Sequence, residues 1–355
     1  MEFLGEYALF LAQAVTVVAA VGMIVLLLAV VGQRQRGEGS GQVEVHDLNE
    51  RYKEMREALR DATSDPLLRK EKLKAERKAT KKKDKQKAKQ AKQQLSEGVE
   101  SEEDKPRLYV LDFDGDIRAS AVDQLREEVS VLMGELREQD EVLLRLESGG
   151  GMVHSYGFAS SQLQRIRAKG ATLTVSVDKV AASGGYMMAC VGSQIIAAPF
   201  AVIGSIGVIA QLPNFHRLLK KNDVDFEMIT AGEFKRTLTM FGENTDKGRM
   251  RFKEEIEDTH VLFKEFVQEN RAVVDVDQVA TGEVWFGQRA LQVQLVDELK
   301  TSDDYIQERL ESHGVFQLHY VPKKSWQQKL GLAAEGALER SFLKLWQASL
   351  LGPRQ

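Results

Sequence analysis

Three short stretches carry residue types able to do acyl chemistry: Glu-Ser-Gly-Gly-Gly-Met-Val at 147–153, Ala-Ala-Ser-Gly-Gly-Tyr at 181–186, and Ala-Gly-Glu-Phe-Lys-Arg at 231–236. Ser183 stands in a turn of small residues that leads into a predicted helix, where backbone N–H groups without an intrahelical acceptor favour an oxyanion. That place suits a nucleophile. It also suits a serine that only caps a tight helix entry, and spacing alone favours the cap. The G-x-S-x-G pattern of a nucleophile elbow is absent. Lys235, beside Glu233 and Arg236, reads by itself as a surface residue.

A lysine can take a proton from serine only if its amine is held neutral. Bringing an ordinary lysine from a pKa of about 10.4 to ~7 disfavours the charged form by about 4–5 kcal/mol. Burial among apolar side chains supplies such a shift, and bound substrate completes it by excluding water. Phe234 and Phe241 are near enough in sequence to contribute. A Ser-His-Asp arrangement would draw on His216 in PNFHRLLKK, a position on a helix face where a solvated or structural histidine is the simpler reading.

The elements that must position these residues begin at Arg107, where short β-branched and aliphatic runs alternate with segments of helical period, the signature of an α/β domain. Residues 108–113 (LYVLDF), 142–146 (VLLRL), 173–177 (LTVSV) and 224–229 (VDFEMI) read as strands. Leu125, Val129, Leu132 and Leu136 share one helical face, a helix runs from the glycine run to about Ala168, and Phe252, Ile256, Phe263 and Val267 stripe a longer helix. The carboxyl ends of strands in such a sheet form the usual ligand crevice. The uncharged region from Val180 to Phe215 contains Gly184, Gly185, Gly192, Pro199, Gly204, Gly207 and Pro213, so it breaks into a buried helix and short strands of the core rather than a membrane span.

Ahead of this domain the chain changes character. A short tail at 1–6 precedes 27 residues without a charge, Tyr7 to Gln33, long enough to cross a bilayer core as a helix. Glu2 and Glu6 stand where a cleavable signal peptide requires positive charge, so the run reads as a transmembrane anchor. Residues 34–105 form a linker and a basic arm, helical or partly disordered, with a Gly- and Ser-bearing exit (RQRGEGSGQVEVHD) at its start. Within the arm, residues 69–92 hold 13 Lys and Arg against three acidic residues, in a chain whose formal charge is only −4. No aromatic side chain interleaves those lysines, which argues against nucleic acid and for anionic lipid headgroups. Arg34 and Arg36 would place the C-terminal bulk of the chain in the cytoplasm. The last segment, 323–355, is amphipathic and suited to a neighbouring subunit or a membrane surface. A single cysteine, Cys190, excludes an intramolecular disulfide framework and a CxxC-type zinc site.

Four segments together resemble the signal-peptide peptidase A and SohB group of membrane-anchored serine proteases: VAASGGYMMAC (180–190), GSIGVI (204–209), the Glu-Phe-Lys segment, and WFGQRALQVQLVDEL (285–299). The resemblance extends from the anchor to about residue 300. It implies a ClpP/crotonase-like domain over 106–322, with Ser183 as nucleophile and Lys235, 52 residues later, as general base. Ser205 would hydrogen-bond the lysine amine, and the N–H groups of Gly151 and Gly184 would bind the oxyanion. The group usually has Ser-Pro-Gly-Gly where this chain has Ser148-Gly149-Gly150-Gly151, which leaves open whether Gly150 or Gly151 supplies the donor.

The implied activity needs no cofactor and no metal. It cleaves membrane-associated peptides, such as cleaved signal peptides, or misfolded proteins, in a homo-oligomer at the bacterial inner membrane. The resemblance puts the protease domain on the outer face, against the arginine count. A crotonase-like acyl-CoA enzyme and a catalytically silent membrane scaffold are the competing classes.

Overall fold

Runs such as 108–113 and 142–146 are apolar at successive positions because both faces of the sheet that holds them are covered, as in parallel sheets generally. The computed structural model describes Thr16 and residues 41–63 and 105–322. In chain order, β1 (Gln42–Asp47) leads directly into α1 (Leu48–Thr63). Next come β2 (Arg107–Gly115), α2 (Val122–Glu135), β3 (Glu141–Ser148), α3 (Val153–Ala168) and β4 (Thr172–Val177). Shorter elements follow: β5 (Val180–Ala182), α4 (Gly184–Ala189), β6 (Gln194–Ala197), β7 (Val202–Gly204) and α5 (His216–Lys221). The remainder is α6 (Asp246–Asn270), α7 (Val276–Val279), β8 (Val284–Phe286), α8 (Gly287–Gln292), β9 (Glu298–Leu299), α9 (Ser302–Arg309) and β10 (Gly314–Val321).

The main path of the sheet runs β1-β10-β2-β3-β4-β6-β9. From β10 to β9 every pairing is parallel, and β2 and β3 stay in register from Leu108 opposite Glu141 to Gly115 opposite Ser148. The sheet forks at the end of β3. Residues 141–145 pair with β4, whereas Ser148 pairs with Ala181 of β5, which continues into β7 and the antiparallel β8. The fork opens a gap at the carboxyl ends of the parallel strands, where ligand crevices form in open α/β sheets.

Alternation along β2 and β3 assigns side chains to two cores. Tyr109, Leu111, Phe113, Val142, Leu144 and Leu146 pack with Leu125, Val129 and Leu132 of α2 and Tyr156, Leu163 and Ile166 of α3. Leu108, Val110 and Leu143 face the other way, onto Leu48 of α1 and Tyr305 and Ile306 of α9. The N-cap of α6 is Thr245, whose Oγ1 accepts the Gly248 N–H at 3.1 Å. Only Phe263 and Val267 of the expected stripe on α6 are buried.

Two expectations are corrected. Residues 224–229 form no strand; they are exposed, and no other strand pairs with them. The flexible exit expected over 34–47 contains β1, which runs beside β10 and carries α1 onto the sheet, so elements before residue 106 join the domain. The compact unit spans Val43–Tyr320. The anchor expected at 7–33, the basic run at 69–92 and the segment 323–355 lie outside the described residues. Among the described residues, no helix is long and apolar enough to cross a membrane.

Candidate active site

Ser183 closes β5 and precedes α4. Its backbone has φ 52° and ψ −119°, a conformation that costs a non-glycine residue about 1–3 kcal/mol and persists only where neighbours enforce it. They do so here: the Ser183 N–H donates to the Gly204 carbonyl at 2.7 Å, and the Ser183 carbonyl accepts the Met187 N–H at 3.0 Å. The side chain makes no capping hydrogen bond to α4. The capping role that spacing favoured is therefore not the role of this hydroxyl, which instead lines a cavity of about 470 Å³.

The glycine run after β3 forms the opposite wall. Gly150 has φ +87°, and a Cβ there would stand 2.7 Å from the Ala182 carbonyl oxygen, the Gly184 nitrogen and the Ser183 Cβ. Only a glycine allows the loop to lie this close to the serine. The Gly150 N–H is occupied, donating to Ser148 Oγ at 3.1 Å. The N–H groups of Gly151 and Gly184 have no acceptor among the described residues, and both glycines line the cavity. The choice between Gly150 and Gly151 that the sequence left open thus turns on a side chain two residues upstream. Ile117, Met152, Val153, Met187, Val208 and Phe263 give the cavity an apolar wall suited to an extended peptide's side chain.

Ser205 follows β7 with φ 51°, and its N–H donates to the Glu283 carbonyl at 2.6 Å. Lys235 lies apart from these groups. It occupies an exposed turn in which its N–H donates to the Gly232 carbonyl at 3.2 Å; it does not line the cavity, and no hydrogen bond joins it to Ser183 or Ser205. Neither expected phenylalanine encloses it within the chain. Lys247 and Arg251 stand over the Phe234 ring, while Phe241 stacks on Phe215 and tilts against Phe226. The structure therefore brings together Ser183, Gly151 and Gly184, and leaves Lys235 outside that group.

No described histidine lines the cavity. His216 begins the six-residue α5, and its backbone N–H donates to Asn214 Oδ1 at 3.3 Å. Sequence reasoning passed over Tyr156, a fully buried residue of α3 whose hydroxyl lies 2.5 Å from Ser148 Oγ. A tyrosine in the first turn after a glycine run was the only signal for it.

Residues 2–163 match Peptidase family S49 N-terminal, and residues 165–315 match Peptidase family S49. The chain is 52% identical over 340 residues to the probable protease SohB of Haemophilus influenzae, covering 94% of each. It is 48% identical over 306 residues to the probable protease SohB of Buchnera aphidicola subsp. Schlechtendalia chinensis, covering 86% of this chain and 99% of that one. Among solved structures, a membrane-bound stomatin-specific protease in complex with a substrate peptide aligns with TM-score 0.41 and 13% identity, over 64% of this chain and 96% of that one. The chain belongs to peptidase family S49 as a SohB-type serine protease, and the acyl-CoA and silent-scaffold readings give way to hydrolysis.

Proposed function

We propose that Ser183 is the nucleophile, that the N–H groups of Gly151 and Gly184 receive the oxyanion, and that Lys235, steadied by Ser205, is the general base. The carrying observation is Ser183 itself: a strained serine at a cavity wall, with no capping role and two unused N–H groups beside it. Ser183 Oγ attacks the peptide carbonyl and its proton passes to Lys235. The lysine returns the proton to the leaving amine, and water then releases the acyl group by the same route. No cofactor enters these steps. The resemblance supports a ClpP/crotonase-like form for the domain.

A neutral lysine needs dry surroundings, and Lys235 is exposed in a segment that also exposes Ile209, Phe215, Ile229, Phe234 and Phe241. A homo-oligomer whose copies cover this segment supplies apolar surroundings, and a bound peptide completes the exclusion of water. The uncharged run at 7–33 and the basic run at 69–92 support a bilayer anchor and contact with anionic headgroups. They favour membrane-associated peptides or poorly folded proteins as substrates, at the bacterial inner membrane.

The test is cleavage of a quenched hydrophobic peptide, together with an intact-mass search for an acyl-enzyme formed from an activated peptide ester. Ser183→Ala is expected to abolish both. Lys235→Ala is expected to abolish cleavage while leaving thermal unfolding nearly unchanged, since the side chain is exposed and has no polar partner among the described residues. Wild-type cleavage by Lys235→Ala would refute the dyad.

A further inference from the structure

Beneath the glycine loop lies a buried group of polar atoms that the proposed chemistry does not use. Ser148, the last residue of β3, is 2% exposed, and Tyr156 of α3 is 0% exposed. Ser148 Oγ accepts the Gly150 N–H at 3.1 Å, stands 2.5 Å from the Tyr156 hydroxyl, and lies 3.1 Å from the Gly115 carbonyl. The Tyr156 hydroxyl donates to the Asp116 carbonyl at 2.7 Å. Each hydroxyl has one proton, and the 2.5 Å contact between the two oxygens must hold one of them. With the Tyr156 proton given to the Asp116 carbonyl, the Ser148 proton lies in that contact rather than on the Gly115 carbonyl, and the result is a relay: Gly150 donates to Ser148, Ser148 to Tyr156, and Tyr156 to Asp116, with every donor polarising the next. The same two loops are joined once more by the Met152 N–H, which donates to the Ile117 carbonyl at 2.8 Å.

We propose that Tyr156 and Ser148 are positioning residues for peptide-bond cleavage: their hydroxyl relay draws the Gly150 N–H out of the cavity and thereby sets the Gly151 N–H to receive the oxyanion. The inference rests on the reading of Ser183, Gly151 and Gly184 given above. The Tyr156 ring also backs the other donor, since a Cβ on Gly184 would stand 2.4 Å from Tyr156 Cγ. One side chain thus fixes the loop through its hydroxyl and the Gly184 backbone through its ring. A preset donor acts chiefly on the transition state, because it costs no reorganisation when charge develops. The effect therefore belongs in kcat rather than in KM.

The test uses the full 355-residue chain carrying Tyr156→Phe, Ser148→Ala, or both. Each single variant is expected to lower kcat for peptide cleavage about 10- to 100-fold, with KM within about threefold. A peptide aldehyde, whose adduct with Ser183 carries an oxyanion-like oxygen, should weaken by the factor lost in kcat, while product-peptide affinity holds. The double variant should lose little more than one single variant, since both interrupt one relay. Wild-type kcat and aldehyde affinity in either single variant overturn the inference. So do losses that multiply in the double variant, or that appear equally in product affinity. If Tyr156→Phe fails to fold, Ser148→Ala decides the matter, as it removes one oxygen atom. Absence of a Ser183-dependent acyl-enzyme in the unaltered chain instead refutes the reading of the site, and this inference falls with it.

Discussion

Glu128→Gln is expected to stabilise the folded domain at pH 8 and to leave it unchanged near pH 4. Glu128 lies on α2, 2% exposed; its Oε1 accepts the Tyr320 N–H at 2.8 Å, and its Oε2 has no partner among the described residues. Burial, reinforced by the nearby charge of Asp112, raises its pKa from 4.5 to about 7, against the pull of the Tyr320 N–H. Each tenfold change in acidity is worth about 1.4 kcal/mol, so the ionised side chain costs about 3 kcal/mol in the fold. The folded state holds this proton more tightly than the unfolded chain does. Stability therefore falls as the pH rises from 4.5 to about 7, and the full cost applies above that range. Glutamine keeps the shape and the acceptor but never ionises. His319, with Nδ1 4.0 Å from Oε1, is half exposed, so it offsets little. Urea titrations followed by circular dichroism near pH 4 and at pH 8, at one protein concentration, measure the difference. Two results would refute the reasoning: a variant no more stable than wild type at pH 8, or one with the same gain at both pH values.

Two neighbouring glycines should behave in opposite ways. Gly150→Ala, at φ +87° with three atoms 2.7 Å from the new Cβ, is expected to lower kcat about 100-fold or more. Gly149→Ala, whose Cβ meets nothing within 4 Å, should keep activity within about twofold and gain about 0.5 kcal/mol in a urea titration. Asp297→Ala should cost about 3 kcal/mol in the same titration, because it strands the buried Arg271, whose Nη1 and Nη2 donate to Asp297 at 3.0 and 2.8 Å. A loss below about 1 kcal/mol there would mean that water reaches the guanidinium in the folded state.

The parallel strands were legible because each carries its own signal: β2, β3 and β4 are buried on both faces and so read as apolar runs ending in loops. The stretch 224–229 carries a similar local signal yet forms no strand, because strand formation depends on a neighbour to pair with and none is present among the described residues. Conversely, β1 is short and follows Gly and Ser, and what holds it is β10, more than 260 residues away. At the site, small residues around Ser183 and the glycine run after β3 marked two loops that meet at one cavity. Tyr156 escaped notice because its part depends on what its hydroxyl meets across the fork, which no spacing along α3 encodes. The proposal for Lys235 rests on resemblance, and nothing in its surroundings among the described residues distinguishes it.

The two serines proposed for the chemistry share a positive φ for a common structural reason. Ser183 and Ser205 each leave a short parallel strand, β5 or β7, with φ near +50°. Each gives its N–H to the next segment across, Ser183 to Gly204 and Ser205 to Glu283, so single hydrogen bonds continue the sheet where its strands turn away. Each turn is held by the bond from its own serine and by the segment that bond reaches. Strain of about 1–3 kcal/mol per residue is tolerated there because the exits are tied to a sheet with a core on both faces. The same mechanics explain why the proposed nucleophile and oxyanion donors stand together at the cavity while Lys235 stands apart. Positions that rely on strand exits inherit the sheet's rigidity, whereas a position in an exposed turn takes its geometry from whatever covers it.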